Sequence, residues 1–471
     1  MGAEDTAVDD LSPRRVVGFA SNQAFMFSLF YAGTNVSVGV GAFPFERAEL
    51  FSMLLFMIAG FALVRGLSER TRLALFSRPL LYIYAVAMAL GSLFWMAFAE
   101  APHPLVLVQG LLVGLPGAFL LAAWGRTFGR VPTSTAIPEV FVGSLVGALL
   151  CVVFNLFAGS VAVSAVVCIL PLASVVNIEV PKDVAANTAA LIDADRDAAR
   201  SLSGRVLAGT LFFGAAAGLM EAYNTAPGGA SMAAYPTSML LFAAFLIGGL
   251  SLQSSAGFGK TSSLNKSYRI AIVMMMLGVI IIPMPELHNS LLPGESVVLA
   301  GYLGLEAVLI CLFLVLPHVT RDDATIAFCT GFAALFFGEL LGVIGANVAD
   351  AASAEFITPY DVVAVAGMLI LVSYVFLFTE RDFDRISEAV TRVDAFQAAC
   401  TEITSTYGLS RRESEILAYA LRGRTSERIA GELTVTKSTV DTHLRRIYGK
   451  CGVHGRQQLL DLGERVREKY E

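Results

Sequence analysis

Charge is scarce in this sequence. Of 471 residues only 15% are Asp, Glu, Lys or Arg, against roughly 25% in a soluble domain, while 56% are hydrophobic and the mean hydropathy is +0.68. A chain of that composition is not a string of soluble domains, although its length suits three. Cysteine is sparse too. The six, at positions 151, 168, 311, 329, 400 and 451, show neither CxxC nor Cys/His ligand spacing, and four lie inside apolar runs, which argues against a disulfide framework or a zinc site. Ser/His/Asp sets, paired catalytic carboxylates outside the apolar stretches and the acidic cluster of a phosphorylated receiver domain are all missing, so neither an enzyme nor a cofactor is expected. Gly257-Phe258-Gly259-Lys260-Thr261 has the end of a phosphate-binding loop, but Ser254 stands where its first glycine must be, which leaves an interhelical turn. The start, MGAEDTAVDDLSPRR, carries acids where a secretory signal carries bases, so the first apolar run is expected to remain as a membrane helix.

Long apolar runs are what the sequence has instead. Twelve stretches have the length a bilayer requires: 16–36, 48–66, 79–99, 105–125, 136–158, 161–181, 206–226, 236–256, 270–286, 296–317, 324–347 and 360–379. Basic residues test the count independently, because Lys and Arg collect on the cytoplasmic side. With the N-terminus inside, 19 of the 20 Lys and Arg residues before Ser405 fall in cytoplasmic segments and only Arg47 falls outside. One span missed or invented would scatter that split, so both termini are expected in the cytoplasm and the chain in the inner (plasma) membrane. The polar loop 182–205 divides the helices into six and six. This layout resembles the major facilitator superfamily, whose halves are related repeats, and Gly66-Leu67-Ser68-Glu69-Arg70-Thr71-Arg72 resembles a worn form of that family's glycine, acid and arginine motif.

Ionisable residues inside apolar spans are costly and by default functional. Here they are Glu221, Glu306 and Glu339, with Glu139 near an inner end; Tyr31, Asn35, Gln109, Tyr223, Asn224 and Tyr302 accompany them. The facilitator resemblance implies that helices one, four, seven and ten line a central cavity, and most of these residues fall on those four. Tyr31, Asn35, Gln109, Glu221, Asn224, Tyr302, Glu306 and Glu339 are therefore the candidate ligand-binding residues, expected around a pocket open to the outside. The alternative is that such groups merely hydrogen-bond helix to helix.

The C-terminal region differs from the rest. From Ser405 onward 13 Lys and Arg face 9 Asp and Glu, leaving 20 against 30 before it, so the overall charge of −6 averages an acidic front and a basic tail. Ser410 precedes a helical pattern ended by Gly423, a second helix follows over 425–433, and Thr434-Val435-Thr436 turns the chain into a third over 437–450. Val440, Leu444 and Ile447 recur at i, i+4 and i+7 and are expected inside, which turns Asp441, Thr442 and Arg445 outward. Two short helices presenting such a third is the helix-turn-helix arrangement, whose recognition helix enters the major groove. LSRRESEIL, GRTSERIAGEL, STVDTHLRRIYGKCGV and GRQQL resemble the DNA-binding domain of the LuxR/FixJ family of bacterial transcription regulators. That resemblance implies groove-facing roles for Asp441, Thr442 and Arg445, phosphate contacts at Thr436, Ser438, Thr439, Lys450 and Arg456, and a DNA-side position for Arg446. The family commonly has lysine at the position of Asp441, and a carboxylate there favours cytosine N4 over phosphate. His443, between the two faces and without a partner at metal spacing, is read as a packing or phosphate-side residue.

The sequence is thus read as all-α: a 12-helix transmembrane bundle with a C-terminal four-helix helix-turn-helix domain. The expected divisions are a cytoplasmic segment 1–15, membrane halves 16–181 and 206–379, a central loop 182–205, a linker helix 380–404 and a DNA-binding domain 405–471. Phe383, Ile386, Val390, Val393 and Cys400 repeat at 3-4 spacing along the linker, broken at Gln397, and either form a homodimer seam or pack on the neighbouring domain. The function expected is a one-component membrane regulator whose partners are promoter DNA, lipid and a small-molecule ligand; the alternative is a transporter with a regulatory tail. Reporter fusions after Arg205, Lys260 and Arg392 should all register cytoplasm, and an external signal at Arg392 would place the DNA-binding tail on the wrong side.

Overall fold

A backbone in lipid must satisfy its own N–H and C=O groups, which makes a helix of every apolar stretch. In the computed structural model twelve helices occupy the twelve expected places: α1 (Pro13–Phe30), α2 (Ala48–Gly66), α4 (Arg78–Ala97), α5 (His103–Phe128), α6 (Thr133–Leu156), α7 (Val161–Asn177), α8 (Arg196–Ala222), α9 (Ser231–Ser255), α10 (Lys260–Ile281), α11 (Gly294–Thr320), α12 (Ala324–Ala351) and α13 (Pro359–Val372). A short α3 (Glu69–Leu75) precedes α4 at an angle of 55°, and a π-helical turn, Ser373–Leu377, extends α13. The structure describes residues 11–31, 37–40, 43–97, 103–131, 133–157, 161–178, 196–223, 231–255, 260–284, 293–320, 323–352, 357–377, 382, 392, 395–396 and 398–470. Asn35, Asn224, the N-terminal residues 1–10, most of the central loop and the linker residues Phe383, Ile386, Val390, Val393 and Gln397 lie outside them.

Eight of the twelve are long and apolar enough to cross a bilayer on their own: α2, α5, α6 and α8 to α12. The others fall short for separate reasons. Helix α4 passes only together with α3, whereas α7 and α13 are short. Helix α1 carries Arg14, Arg15, Asn22 and Gln23, yet every residue from Gly18 to Phe30 is buried, so protein rather than lipid surrounds its polar groups. Helix α11, apolar on all sides, is likewise central. Peripheral α4, α7, α10 and α13 instead expose Ile83, Val161, Val273 and Met368, as a lipid-facing surface requires.

Helices α8 and α12 share the most extensive contact among the described helices. Gly214 and Gly218 on α8 meet Gly338 and Gly342 on α12, each pair one helical turn apart. A Cβ on Gly338 would lie 1.9 Å from the Leu211 carbonyl oxygen, and one on Gly218 would lie 2.0 Å from that of Glu339. Small residues let two backbones touch where lipid offers no hydrophobic drive to association, and here they fix the height of Glu339 against α8. Nearer the start of α12, Phe332 and Phe336 meet Phe61 of α2, and Phe336 also meets Phe30 of α1, so aromatic contacts join the two halves.

Two features depart from the all-α expectation or add to it. A small antiparallel hairpin, β1 (Val38–Val40) and β2 (Phe43–Phe45), pairs Val38 with Phe45 and Val40 with Phe43 between α1 and α2. The tail has its own core, built by α14 (Arg411–Leu421), α15 (Ser426–Glu432), α16 (Lys437–Cys451) and α17 (Arg456–Arg467) around Ile416, Leu417, Ile429, Val440, Leu444, Ile447 and Leu459. Ala399 and Ile403, in the helical residues 398–406, belong to that core, so this end of the linker packs on its own domain.

Replacing Gly218 or Gly338 with valine should cost about 3 kcal/mol or more, because the clash is with backbone and cannot relax by a rotamer change. The measurement is the melting temperature of the detergent-purified protein. Gly204→Ala, on the same helix with nothing within 4 Å of the added carbon, should leave it unchanged.

Candidate ligand site and DNA interface

Glu339 is fully buried on α12 and accepts a hydrogen bond from the Tyr302 hydroxyl of α11 at 2.7 Å and a longer one from Tyr31, just beyond α1, at 3.5 Å. Above it lies Arg47, also buried, whose guanidinium donates to the Phe30 carbonyl at 2.6 Å and pairs with Glu221 of α8 at 2.9 Å and with Glu49 of α2 at 3.6 Å. Arg47 takes up a left-handed conformation, φ 57° and ψ 37°, directly before α2. For a bulky residue that backbone is uncommon and strained, and the three polar contacts of its side chain hold it. Beside it, Asn347 of α12 accepts from the Glu46 amide and donates to the Glu46 carbonyl. Glu306, one turn beyond Tyr302, is buried and makes no hydrogen bond among the described residues.

The structure therefore brings together Tyr31, Glu221, Tyr302, Glu306 and Glu339 from both halves of the chain; Tyr31 lies within electrostatic range of all three carboxylates and of Arg47. Gln109, buried on α5, shares no hydrogen bond with them. Arg47 folds inward beside these polar groups, with Asn347 bonded to Glu46 next to it. Sequence reasoning missed both Arg47 and Asn347 as members of the site. The signal for Arg47 was present: it is the lone basic residue that the expected topology leaves outside, and a charge that breaks the distribution is there for a local reason.

Other expected functional groups serve the scaffold. Glu139 takes two hydrogen bonds from Arg15, at 2.6 and 2.7 Å, and one from the Ser12 amide, tying α1 to α6. In the worn glycine motif, Ser68 caps α3, while Arg72 pairs at 3.3 Å with Asp323, the N-cap of α12. That pair links the halves on the face opposite Arg47.

In the tail, Ser410 and Glu413 form a reciprocal capping box at the start of α14. Gly423 at φ 74° ends α14, Thr434 at φ 53° makes the turn, and Thr436 caps the recognition helix α16 by accepting from the Thr439 amide. Val440, Leu444 and Ile447 point inward, whereas Thr436, Ser438, Thr439, Thr442, Arg445 and Arg446 are exposed and Asp441 is half-buried. The outward face is thus the expected one. Two of the proposed phosphate contacts are also engaged inside the domain: Lys450 donates to Glu413 at 2.7 Å and to the Gly408 carbonyl at 2.9 Å, and Arg456 donates to the Arg424 carbonyl. The Lys450 ammonium and the Ser410 amide together hold the Glu413 carboxyl down at about 2.

Comparison with known proteins agrees with the tail. Residues 408–462 match the family described as bacterial regulatory proteins, luxR family. The uncharacterized response regulatory protein YgeK of Escherichia coli K12 is 36% identical over 90 residues, 18% of this chain and 61% of that protein. The HTH-type transcriptional regulator MalT of Yersinia enterocolitica is 37% identical over 65 residues, 14% of this chain and 7% of that protein. The similarity thus spans less than two thirds of either relative. Among solved structures, the major facilitator superfamily transporter FucP in its outward conformation superposes with a TM-score of 0.47 and 13% identity over 79% of this chain and 97% of that one. A bacterial homologue of the iron transporter ferroportin, outward-facing with soaked iron, gives the same values. The chain thus joins a LuxR-type helix-turn-helix, a DNA-binding unit of transcription regulators, to a bundle of membrane-type helices.

Arg445→Ala should weaken binding to a preferred DNA site by about 1 to 3 kcal/mol without changing the melting temperature of the tail. Lys450→Ala should lower that temperature as well, because it removes the partner of Glu413. A carboxyl whose value is depressed on folding contributes stability that is present above its ordinary 4.5 and lost as pH falls toward about 2. The wild-type tail should therefore lose stability over that window, and the Lys450→Ala tail should lose less.

Proposed function

We propose that this chain is a one-component transcription regulator, seated in the inner membrane with both termini in the cytoplasm, that senses a small molecule in its bundle and binds promoter DNA through its tail. The observation that carries the reading is the polar cluster shared between the halves. Tyr31, Arg47 and Glu49 come from the first half and Glu221, Tyr302, Glu306 and Glu339 from the second, so a molecule bound among them bears on how the halves meet. A ligand shifts such an equilibrium only by its differential affinity for the two states, and roughly 5.5 kcal/mol swings 1:99 to 99:1. Exchanging the contacts of Arg47 and Glu339 for contacts to ligand is the source of that difference.

Helix α8 supplies the connection to the tail. Glu221 stands at its outer end, and Arg205, sixteen residues earlier or roughly 24 Å away, donates to Asp382 at 2.6 Å. Asp382 is buried and follows α13, where the chain leaves the bundle for the DNA-binding domain. A tilt of α8 at the cluster therefore moves the root of the tail. On the DNA, two copies are expected to read paired half-sites, as helix-turn-helix dimers do; the groove-facing residues are Asp441, Thr442 and Arg445.

Expression profiling of cells with and without the gene, across a small-molecule panel, identifies the inducing compound. Glu221→Gln and Glu339→Gln should then abolish its effect on transcription, and Arg205→Ala should uncouple the response while leaving membrane insertion and DNA binding by the tail intact. Tracer uptake separates this reading from a transporter with a regulatory tail. Saturable accumulation of the compound, lost in the same glutamate variants, would overturn the sensor.

A further inference from the structure

Resting on the sensing reading above, we infer that the buried cluster receives an organic cation, a primary or secondary amine, through the carboxylate of Glu306. Acidic groups outnumber basic ones in the cluster. Among the described residues its one cation is Arg47, and that guanidinium is already engaged by Glu221, Glu49 and the Phe30 carbonyl. Glu339 has only hydroxyl partners, and Glu306 has none. An anionic ligand would meet four acidic side chains around an occupied arginine, and a neutral one would leave the excess untouched. A cation supplies what is missing.

Glu306 also keeps a little accessible surface where its neighbours on the helix keep none. Helix α11 is closed along its middle, with Tyr302, Leu303, Leu305 and Val308 each at 0% exposure, but Glu306 keeps 7%. Among these five residues of α11, the accessible surface belongs to the unpaired Glu306. A bare metal ion is disfavoured, since the described residues contain no group of three or more His, Cys, Asp or Glu placed to hold one. The rings of Phe30 and Tyr31, with Phe336 packed edge-on to Phe30, offer the aromatic surroundings that favour an alkylammonium.

The test uses full-length protein in lipid nanodiscs and a panel of aromatic and aliphatic primary amines, each matched by the alcohol and the carboxylate of the same skeleton. At least one amine should raise the melting temperature with saturation while its alcohol and carboxylate do not. Glu306→Gln should abolish that shift, and Glu306→Asp, which keeps the charge, should retain it. A carboxylate or alcohol that stabilises as well as its amine overturns the inference, as does an amine shift that survives in Glu306→Gln or a panel in which no amine stabilises. The two readings fail separately. Amine binding through Glu306 without any change in transcription would sink the sensor and leave the cation site, whereas a transcriptional response to a carboxylate or alcohol alone would do the reverse.

Discussion

The guanidinium of Arg47 has to be neutralised where it lies, because it is buried within a bundle of apolar helices and an uncompensated charge there costs several kcal/mol. Much of the membrane half is arranged around that requirement. The hairpin β1–β2 leads the chain back toward α2, the left-handed backbone at Arg47 turns its side chain inward, and Glu221, Glu49 and the Phe30 carbonyl receive it. Since Glu221 sits on α8 and Arg47 precedes α2, neutralising one charge also joins the two halves. The glycine crossing of α8 and α12 then sets Glu339 beneath the pair at a fixed height.

The two parts of the chain answer to different physics. In the bundle, polar groups are few and several are held by another helix: Glu139 by Arg15, Arg72 by Asp323, Glu339 by Tyr302. In the tail, a small apolar core and caps at Ser410, Thr425 and Thr436 hold three helices whose outer faces stay polar. Arg205 and Asp382 lie where these regimes meet, and through their pairing α8 carries both a charge of the cluster and a contact to the chain leading to the DNA-binding domain.

Much of this was legible in the sequence, for reasons that can be named. Hydropathy found a helix at each of the twelve expected places, because lipid permits little else, although only eight of them are long and apolar enough to cross a bilayer on their own. The recognition helix was legible from Val440, Leu444 and Ile447, since their spacing alone sets which way Asp441 and Arg445 turn. What escaped was tertiary. Nothing local says that Arg47 folds inward rather than facing water, or that Asn347 meets the backbone of a residue 301 positions away. Lys450 was read as a phosphate contact, and its bond to Glu413 depends on a helix that ends 29 positions earlier.

The central claim is that a molecule bound inside the bundle changes how the tail holds DNA. It is tested most directly by measuring promoter affinity, by fluorescence anisotropy, for the full-length chain in nanodiscs and for the detached tail 395–471, each with and without the inducing compound. The expected result is a severalfold change in affinity for the full-length chain and none for the tail. The same affinity with and without compound in the full-length chain, or an equal change in the detached tail, would contradict the account.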